Sequence, residues 1–470
     1  MYARFGRYIS LYIQIGNRMM MKTFIKFGMC LLIAGFLVAC DGSDDIVNTI
    51  EKPQPGQKED PKDSDNERTD KDSVVVYMLP IAEDMELTRE QRLLIQKNND
   101  FSFNLFRIIN ELDKEKRSNF LSPISVTCML GMLNDGAAGE TSKEILSTLG
   151  FGESDAKSVN NLCKALIDGA PNVDSYVSVE ISSYIAANSH KGVSLEPLFQ
   201  EDMGTYYRAE AASLDFSSPD ALKTINGWCS KKTDGKIDKM LDELDASSLL
   251  VLLNAVNFKA TWVSKFDENN TEMETFTKDD GKTIQIPMMH QEALIRYGSN
   301  STYSRILLPF GGTNPLWYMH ILLPNEGKTV DDVLNALNAK DWRENWWNTD
   351  MYQLDIKIPR FMTNAENNLI PSITKLGAPS IFDPDKANFS KMCSNYKGLF
   401  VSQMYQKAAI DVNEKGSEVV AVTLADMGVA ESGFDPEWKK GYFYCDTPFV
   451  YIIEERSSGV IFFIGTFRGE

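Results

Sequence analysis

Histidine is scarce in this chain. The three present among 470 residues, His190, His290 and His320, lie too far apart for a metal motif, which disfavours a zinc hydrolase. No G-x-S-x-G, H-E-x-x-H or G-x-G-x-x-G occurs. Gly-Lys-Thr triplets begin at Gly281 and Gly327, but the earlier glycine of a phosphate loop is replaced by Phe276 and Leu322, so both read as turns. No histidine stands in the context of a hydrolytic triad. The residues therefore argue against an enzyme, and nothing in them calls for a cofactor or a metal. Positive charge is also short: 48 Lys and Arg against 66 Asp and Glu leave a net charge of −18. That excludes nucleic acid and an anionic membrane surface as natural partners, because each phosphate contact needs a cation. Lys231, Lys232 and Lys236 read as a solvated face and not as a polyanion site. Only 18 prolines with 10% aromatics exclude a wholly disordered or fibrous chain.

Long apolar runs are missing as well. Phe27 to Ala39 is the candidate, and its thirteen residues fall short of the roughly 17–25 that span a bilayer. With Lys22 and Lys26 ahead of it, the run fits a signal peptide, and Leu37-Val38-Ala39-Cys40 resembles a bacterial lipobox that would lipidate Cys40. A plain signal peptide with a chance Cys40 is the alternative. The tandem Met19-Met20-Met21 suggests a start inside that run. From Asp41 to Ser73 there are eleven acids and five bases, with Pro53, Pro55, Gly56 and Pro61, so this stretch reads as a tether unable to offset its ordering entropy. Its Ser-Asp-Asp run beside Cys40 is either an export signal for the outer surface or an ordinary solvated linker. The layout expected is a signal over 1–39, a tether over 40–90 and one body over 91–470, lipid-held on the outer membrane or cell surface of a bacterium, with no other membrane contact.

Seven cysteines include Cys30 and Cys40 in the signal; the five in the body, Cys128, Cys163, Cys229, Cys393 and Cys445, show no C-x-x-C and are expected to be buried free thiols. Within the body, Phe101, Leu105, Ile108 and Leu112 recur at helical spacing. Ser122-Pro123 reads as an N-cap and first-turn proline opening a helix through Leu133. Thr141 and Glu144 read as a capping box for a helix that Gly150 closes. Val177, Val179 and Ile181 alternate with polar residues, as do Leu354, Ile356 and Ile358, while Leu249 to Phe258 is a doubly buried strand. Phe449 to Ile453 and Val460 to Ile464 form a hairpin across Arg456-Ser-Ser-Gly459. Helices gathered first and strands later give an α+β domain.

Five ordered blocks then resemble the serpin family of serine protease inhibitors. These are Asn119 to Ser125 with Gly136 to Thr141; Ile225-Asn-Gly-Trp228 with Thr233 to Ile237; Asn254 to Trp262 with Phe266 and Thr271; Val412 to Glu418; and Asp446-Thr-Pro448-Phe449. The resemblance spans Phe101 to Phe467 and implies a large central β-sheet, two further sheets and an exposed reactive loop. It implies a monomer that baits a serine protease, is cleaved, holds the enzyme as an acyl-enzyme and inserts the loop as a new central strand. The hinge would be Glu414, Gly416, Ser417, Glu418, Val419, Val420, Ala421, Val422 and Thr423. Ser417, Val419, Ala421 and Thr423 would turn inward, all of them small or β-branched. Val419, Val420 and Val422 are bulkier than the family's usual alanines. Ser122, Ser125, Asn254, Trp262 and Gln406 would govern sheet opening, with Gln406 standing where the family usually has histidine and able to bond Asn254.

Counting seventeen residues from Glu414, as the resemblance implies, ends at Ala430, so the reactive bond would be Ala430–Glu431, or Val429–Ala430 in the neighbouring register. No Lys or Arg occurs between Lys415 and Lys439, so elastase-like enzymes are expected over trypsin-like ones. Phe434 leaves a weaker chymotrypsin-like option. The alternative is a non-inhibitory binding protein on the same fold.

Overall fold

Alternation and capping explain most elements of the computed structural model, which describes residues 81–345, 348–417 and 437–469. The chain divides into two units, Met1–Val75 and Val76–Glu470, and all described residues belong to the second. The signal peptide, Cys40, Glu418 to Thr423, Val429 to Glu431 and Phe434 lie outside the described residues.

The body begins earlier than expected. Residues 81–90, assigned to the tether, are already packed: Ala82 and Met85 are buried, and the Met85 amide donates to Ser457 Oγ at 2.8 Å. Helix α1 (Arg89–Leu112) starts at a capping box in which Thr88 and Gln91 exchange bonds at 2.8 and 3.2 Å. Phe101 and Leu105 are buried as the spacing implies, Ile108 is half-buried, and the buried face is wider than the expected stripe. Leu94, Ile95, Phe106 and Ile109 also face the core, Asn98, Ser102 and Asn110 are buried there on hydrogen bonds, and Leu112 is exposed.

After β1 (Asn119–Leu121), helix α2 (Pro123–Gly136) has Ser122 at its N-cap, although the hydroxyl makes no cap bond, and it runs three residues past Leu133. Helix α3 (Gly139–Thr148) begins two residues before Thr141. Thr141 is not its cap; it accepts from the Asn388 amide at 3.1 Å, and Glu144 accepts from the Ser380 amide at 2.9 Å, tying the helix to a distant loop. Gly150, at φ +77°, closes it as expected. Helices α4 (Ala156–Gly169), α5 (Pro197–Tyr207) and α6 (Pro219–Lys232) follow, with α7 (Val330–Ala336), α8 (Ala339–Asn345) and α9 (Ile370–Leu376) later. Gly281 and Gly327, both at positive φ, sit in turns.

Among the described residues two sheets carry the body, where a central sheet and two further ones were expected. The first runs β10 (Phe361–Asn368), β11 (Val401–Asn413), β4 (Leu250–Thr261), β2 (Val177–Asn188), β3 (Glu210–Leu214), with the two-residue β12 (Gly416–Ser417) wedged between β11 and β4 at one end. β4 is buried throughout except at half-buried Lys259, as its apolar run requires. The second sheet follows the order β1, β15 (Val460–Phe467), β14 (Phe449–Glu455), β8 (Trp317–Pro324), β7 (Tyr303–Phe310), β6 (Thr283–Ser299), β9 (Asp350–Pro359), β13 (Lys439–Tyr444), with β5 (Glu272–Thr277) also paired to β6. The two further sheets are one here because the strands at both ends of this second sheet join through β6 and its neighbours β7 and β9. β14 and β15 form the expected hairpin. The sheets meet through aromatic contacts: Phe258 lies 5.2 Å from Phe463, and Trp262 stacks on Phe310 at 4.1 Å. The five body cysteines are free and buried, as expected.

Gly465 on β15 leaves the space that the Tyr451 ring occupies, so a Cβ there would collide with the ring. Gly465→Ala should lower the unfolding free energy by about 1–3 kcal/mol through overpacking. Gly204→Ala, on an exposed turn of α5 with nothing near its Cβ, should be neutral or stabilising by up to about 1 kcal/mol. Denaturant titration of both variants measures the contrast.

Candidate functional site: the junction of β11 and β4

β11 and β4 pair in parallel from Val401–Leu250 to Ala408–Val256 and then separate. Near the last paired positions Gln406 stands directly across from Asn254, both wholly buried. The Gln406 amide donates to Asn254 Oδ1 at 3.0 Å, Ser125 Oγ at 2.7 Å and the Ser122 carbonyl at 3.0 Å, its two hydrogens shared among three acceptors. Gln406 Oε1 accepts from the Ser122 amide at 2.8 Å. Ser125 donates to Asn254 Oδ1 at 2.8 Å, and Asn254 in turn donates to the Ser182 carbonyl and to Ser183 Oγ, each at 3.1 Å. The expected Gln406–Asn254 bond is therefore present. The start of α2, β4, β2 and β11 are joined there by neutral groups alone. A buried amide network of this kind is rigid while every member stays bonded, and costly to part.

Beyond Ala408 the gap is filled by β12. Ser417 pairs with Val412 on one side and Ala260 on the other; Gly416 pairs with Asn413 and Thr261. Both neighbours are antiparallel to it. Gly416 sits at φ +142°, and a Cβ would fall on the Ala260 carbonyl, so only glycine turns the chain into the gap here. Ser417 is wholly buried.

The mouth of the wedge is clamped. Trp262 Nε1 donates to the Asn413 carbonyl at 2.9 Å, and the Trp262 amide to that of Lys415 at 3.0 Å. Trp262 is thus at the wedge and not in the Gln406 network. Glu414, 4% exposed, accepts from Thr271 Oγ1 at 2.6 Å and from Arg360 Nε at 3.0 Å, with Arg360 NH2 also on the carboxylate. Burial would raise the Glu414 carboxyl, but the Arg360 and Thr271 bonds outweigh it and hold it below the usual carboxylate range. The clamp is therefore intact at neutral pH and is lost only as pH falls through that lowered value. Thr271 and Phe266 stand in the tryptophan-containing sequence block. Arg360, 54 residues from Glu414, carries no local signal and was missed.

Other singled-out residues serve packing or solvated pairing. Trp228 sits 5.3 Å edge-on to Tyr184, and Trp342 is buried between Phe103 and His320 with its N–H on Glu454. The lysine cluster on and after α6 is laced with acceptors: Lys232 lies 3.9 Å from Glu210 and Lys236 donates to Asn257 at 3.1 Å. Among the described residues no helix is long and apolar enough to cross a membrane.

A family model described as "Serpin (serine protease inhibitor)" matches residues 96–469. Glia-derived nexin of Rattus norvegicus is 32% identical over 372 residues, covering 76% of this chain and 90% of that protein. Among solved structures, native protease nexin-1 with heparin superposes with a TM-score of 0.70 at 26% identity, covering 81% of this chain and 100% of that one. Human thyroxine-binding globulin complexed with its hormone gives 0.72 at 27% identity, covering 80% and 98%. With the family model matching residues 96–469 and a relative 32% identical over most of its length, the chain belongs to the serpin family, whose members are typically protease inhibitors and not catalytic enzymes.

Proposed function

We propose that this chain is a suicide inhibitor of elastase-like serine proteases, held by a lipid on Cys40 to the outer membrane or cell surface of a bacterium. The observation that carries the reading is the wedge. Gly416 and Ser417 already lie between β11 and β4, antiparallel to both. Extending β12 along the gap replaces one parallel ladder, the slightly weaker kind, with two antiparallel ones, and that gain is what drives insertion once cleavage releases the far end. Ser417 is buried, so on insertion Val419, Ala421 and Thr423 would follow it inward by the two-residue period. None of them is charged. The bulk of Val419, Val420 and Val422 slows insertion, and a non-inhibitory binding protein is the second reading this favours. Ala430–Glu431, or Val429–Ala430, offers the protease a small aliphatic residue, and the absence of Lys or Arg through the segment removes a trypsin-like partner.

Mixing the protein with pancreatic elastase is expected to give a covalent complex of summed mass that survives SDS. Thr423→Arg, placing charge on the inward face, is expected to leave cleavage intact and abolish the complex. Clean cleavage of the wild type with no complex would turn the assignment to the binding-protein reading.

The Gln406 network holds no titrating group, so its contribution should not change across neutrality. Gln406→His introduces an imidazole that burial keeps neutral in the folded state. Its folded value then lies below the unfolded one, and stability is lost as pH falls. The variant should lose about 1–2 kcal/mol more than wild type between pH 8 and pH 5.5, read by denaturant unfolding.

Lipidation predicts that the full chain partitions into detergent phase while Cys40→Ser remains aqueous, measured by phase separation of expressing cells. Aqueous wild-type protein would reject the anchor without touching the inhibitory reading.

A further inference from the structure

Helices α2 and α4 pack closely, and a glycine lets them. A Cβ built on Gly131 of α2 would fall 3.1 Å from Val159 Cγ1 of α4 and 2.7 Å from the Tyr207 hydroxyl of α5. Towards the end of α2, Asp135 accepts from Asn160 Nδ2 at 2.9 Å, and Asn160 in turn accepts from that hydroxyl at 2.7 Å. In mid-helix, Cys128 of α2 faces Cys163 of α4, the two thiols within hydrogen-bonding reach. The end of α2 against the start of α4, and middle against middle, is the register of an antiparallel pair. Both cysteines are buried, and both are thiols in this structure. The other body thiols are placed differently. Cys229 lies 3.8 Å from the Met240 sulfur, Cys393 donates to Asn395 Oδ1 at 2.9 Å, and Cys445 is buried beside Asp446.

We propose that Cys128 and Cys163 are joined as a disulfide in the exported protein, a staple between α2 and α4 made while the chain folds and sealed once it has folded. Its occurrence in the cell rests on the export proposed above, because disulfides persist in oxidising compartments. The pairing itself rests on the helix geometry. The oxidant is a small-molecule or protein disulfide of that compartment. One cysteine thiolate attacks it and displaces a thiolate, giving a mixed disulfide; the second cysteine attacks the protein sulfur of that bond and displaces the other half. Two protons and two electrons leave the pair, and the external disulfide becomes two thiols. The sulfurs must close to about 2 Å, which from their present contact asks for small side-chain rotations. Attack needs a thiolate, and in the open chain each thiol titrates near its ordinary value of about 8.5, so some is present near neutrality. In the folded body, burial and then the neighbouring Cys128 push Cys163 well above that value. The Tyr207 hydroxyl beside the pair is also pushed up by burial, and the ionisable groups around it are the two thiols, Asp135 and Asp202, none of them a cation. A folded, reduced pair therefore reacts slowly, and the same burial shields a finished bond from attacking thiols.

The test is peptide mapping without reductant. The full chain, expressed in a Gram-negative bacterium, is separated into cytoplasmic and envelope fractions, unfolded in guanidinium with iodoacetamide and digested. In the envelope fraction the Cys128 and Cys163 peptides should be joined and lighter by two hydrogens, with Cys229, Cys393 and Cys445 alkylated. Purified protein, reduced, unfolded and refolded with oxidised and reduced glutathione, should form the same link. Protein refolded under reductant and only then given that mixture should form it at least about 10-fold more slowly, its thiolate being scarcer. The linked form should unfold thermally about 4–8 °C above the reduced one, a difference that Cys163→Ala removes and Cys445→Ala keeps. Refolding without this link, or with as much link to Cys229, Cys393 or Cys445, overturns the pairing. Equal rates before and after folding overturn the sealing. Free thiols in the envelope fraction overturn the staple, whereas a chain found only in the cytoplasm rejects export and leaves the refolding to decide the pairing.

Discussion

Two parallel strands that part company govern the rest of the molecule. β11 and β4 share seven paired positions and then diverge, leaving backbone donors and acceptors at one end of the sheet that a buried strand cannot leave unpaired. β12 satisfies the first of them. Gly416 makes the entry possible because its positive φ and missing side chain let the backbone pass the Ala260 carbonyl. Among the described residues β12 pairs at Gly416 and Ser417, and an antiparallel register continues along β11 and β4 beyond it. Each additional pair of inserted residues would add ladder bonds on both sides.

In the proposed insertion, the restraint on that extension would be the neutral network around Gln406. Asn254 and Gln406 face each other where the strands still pair, and their amides reach Ser122 and Ser125 at the start of α2. Parting them exposes several buried polar groups at once, each of which costs about 1–3 kcal/mol when left unpaired. In that reading the network would be a barrier built of many moderate bonds with no single strong ion pair. Serine, asparagine and glutamine also bond well in more than one arrangement, so the groups can find new partners when the strands move.

Much of this was legible in the sequence. Alternation at Val177 to Ile181 and Leu354 to Ile358, the apolar run of β4 and the Arg456 to Gly459 turn each report a local period or turn chemistry, and the structure follows them. The failures have a common cause. The buried face of α1 is wider than apolar spacing shows because Asn98 and Asn110 bond other elements and Ser102 bonds back within the helix, which periodicity of apolar residues cannot reveal. Thr141 and Glu144 have capping-box spacing but bond a loop some 240 residues away. The start of the body was set too late because residues 81–90 are polar in composition and owe their order to Ala82 and Met85 docking on distant segments. Arg360 and Glu414 are joined only by the fold.

The entry to the wedge is held by charge and its flank by neutral groups. Glu414 is kept ionised by Arg360 and Thr271, whose bonds outweigh the burial that would raise its carboxyl. Its contribution is present at neutral pH and is lost as pH falls through that lowered value, whereas the Gln406 network holds no titrating group. Acid therefore loosens the clamp at the mouth of the wedge while leaving the amide network beside it intact.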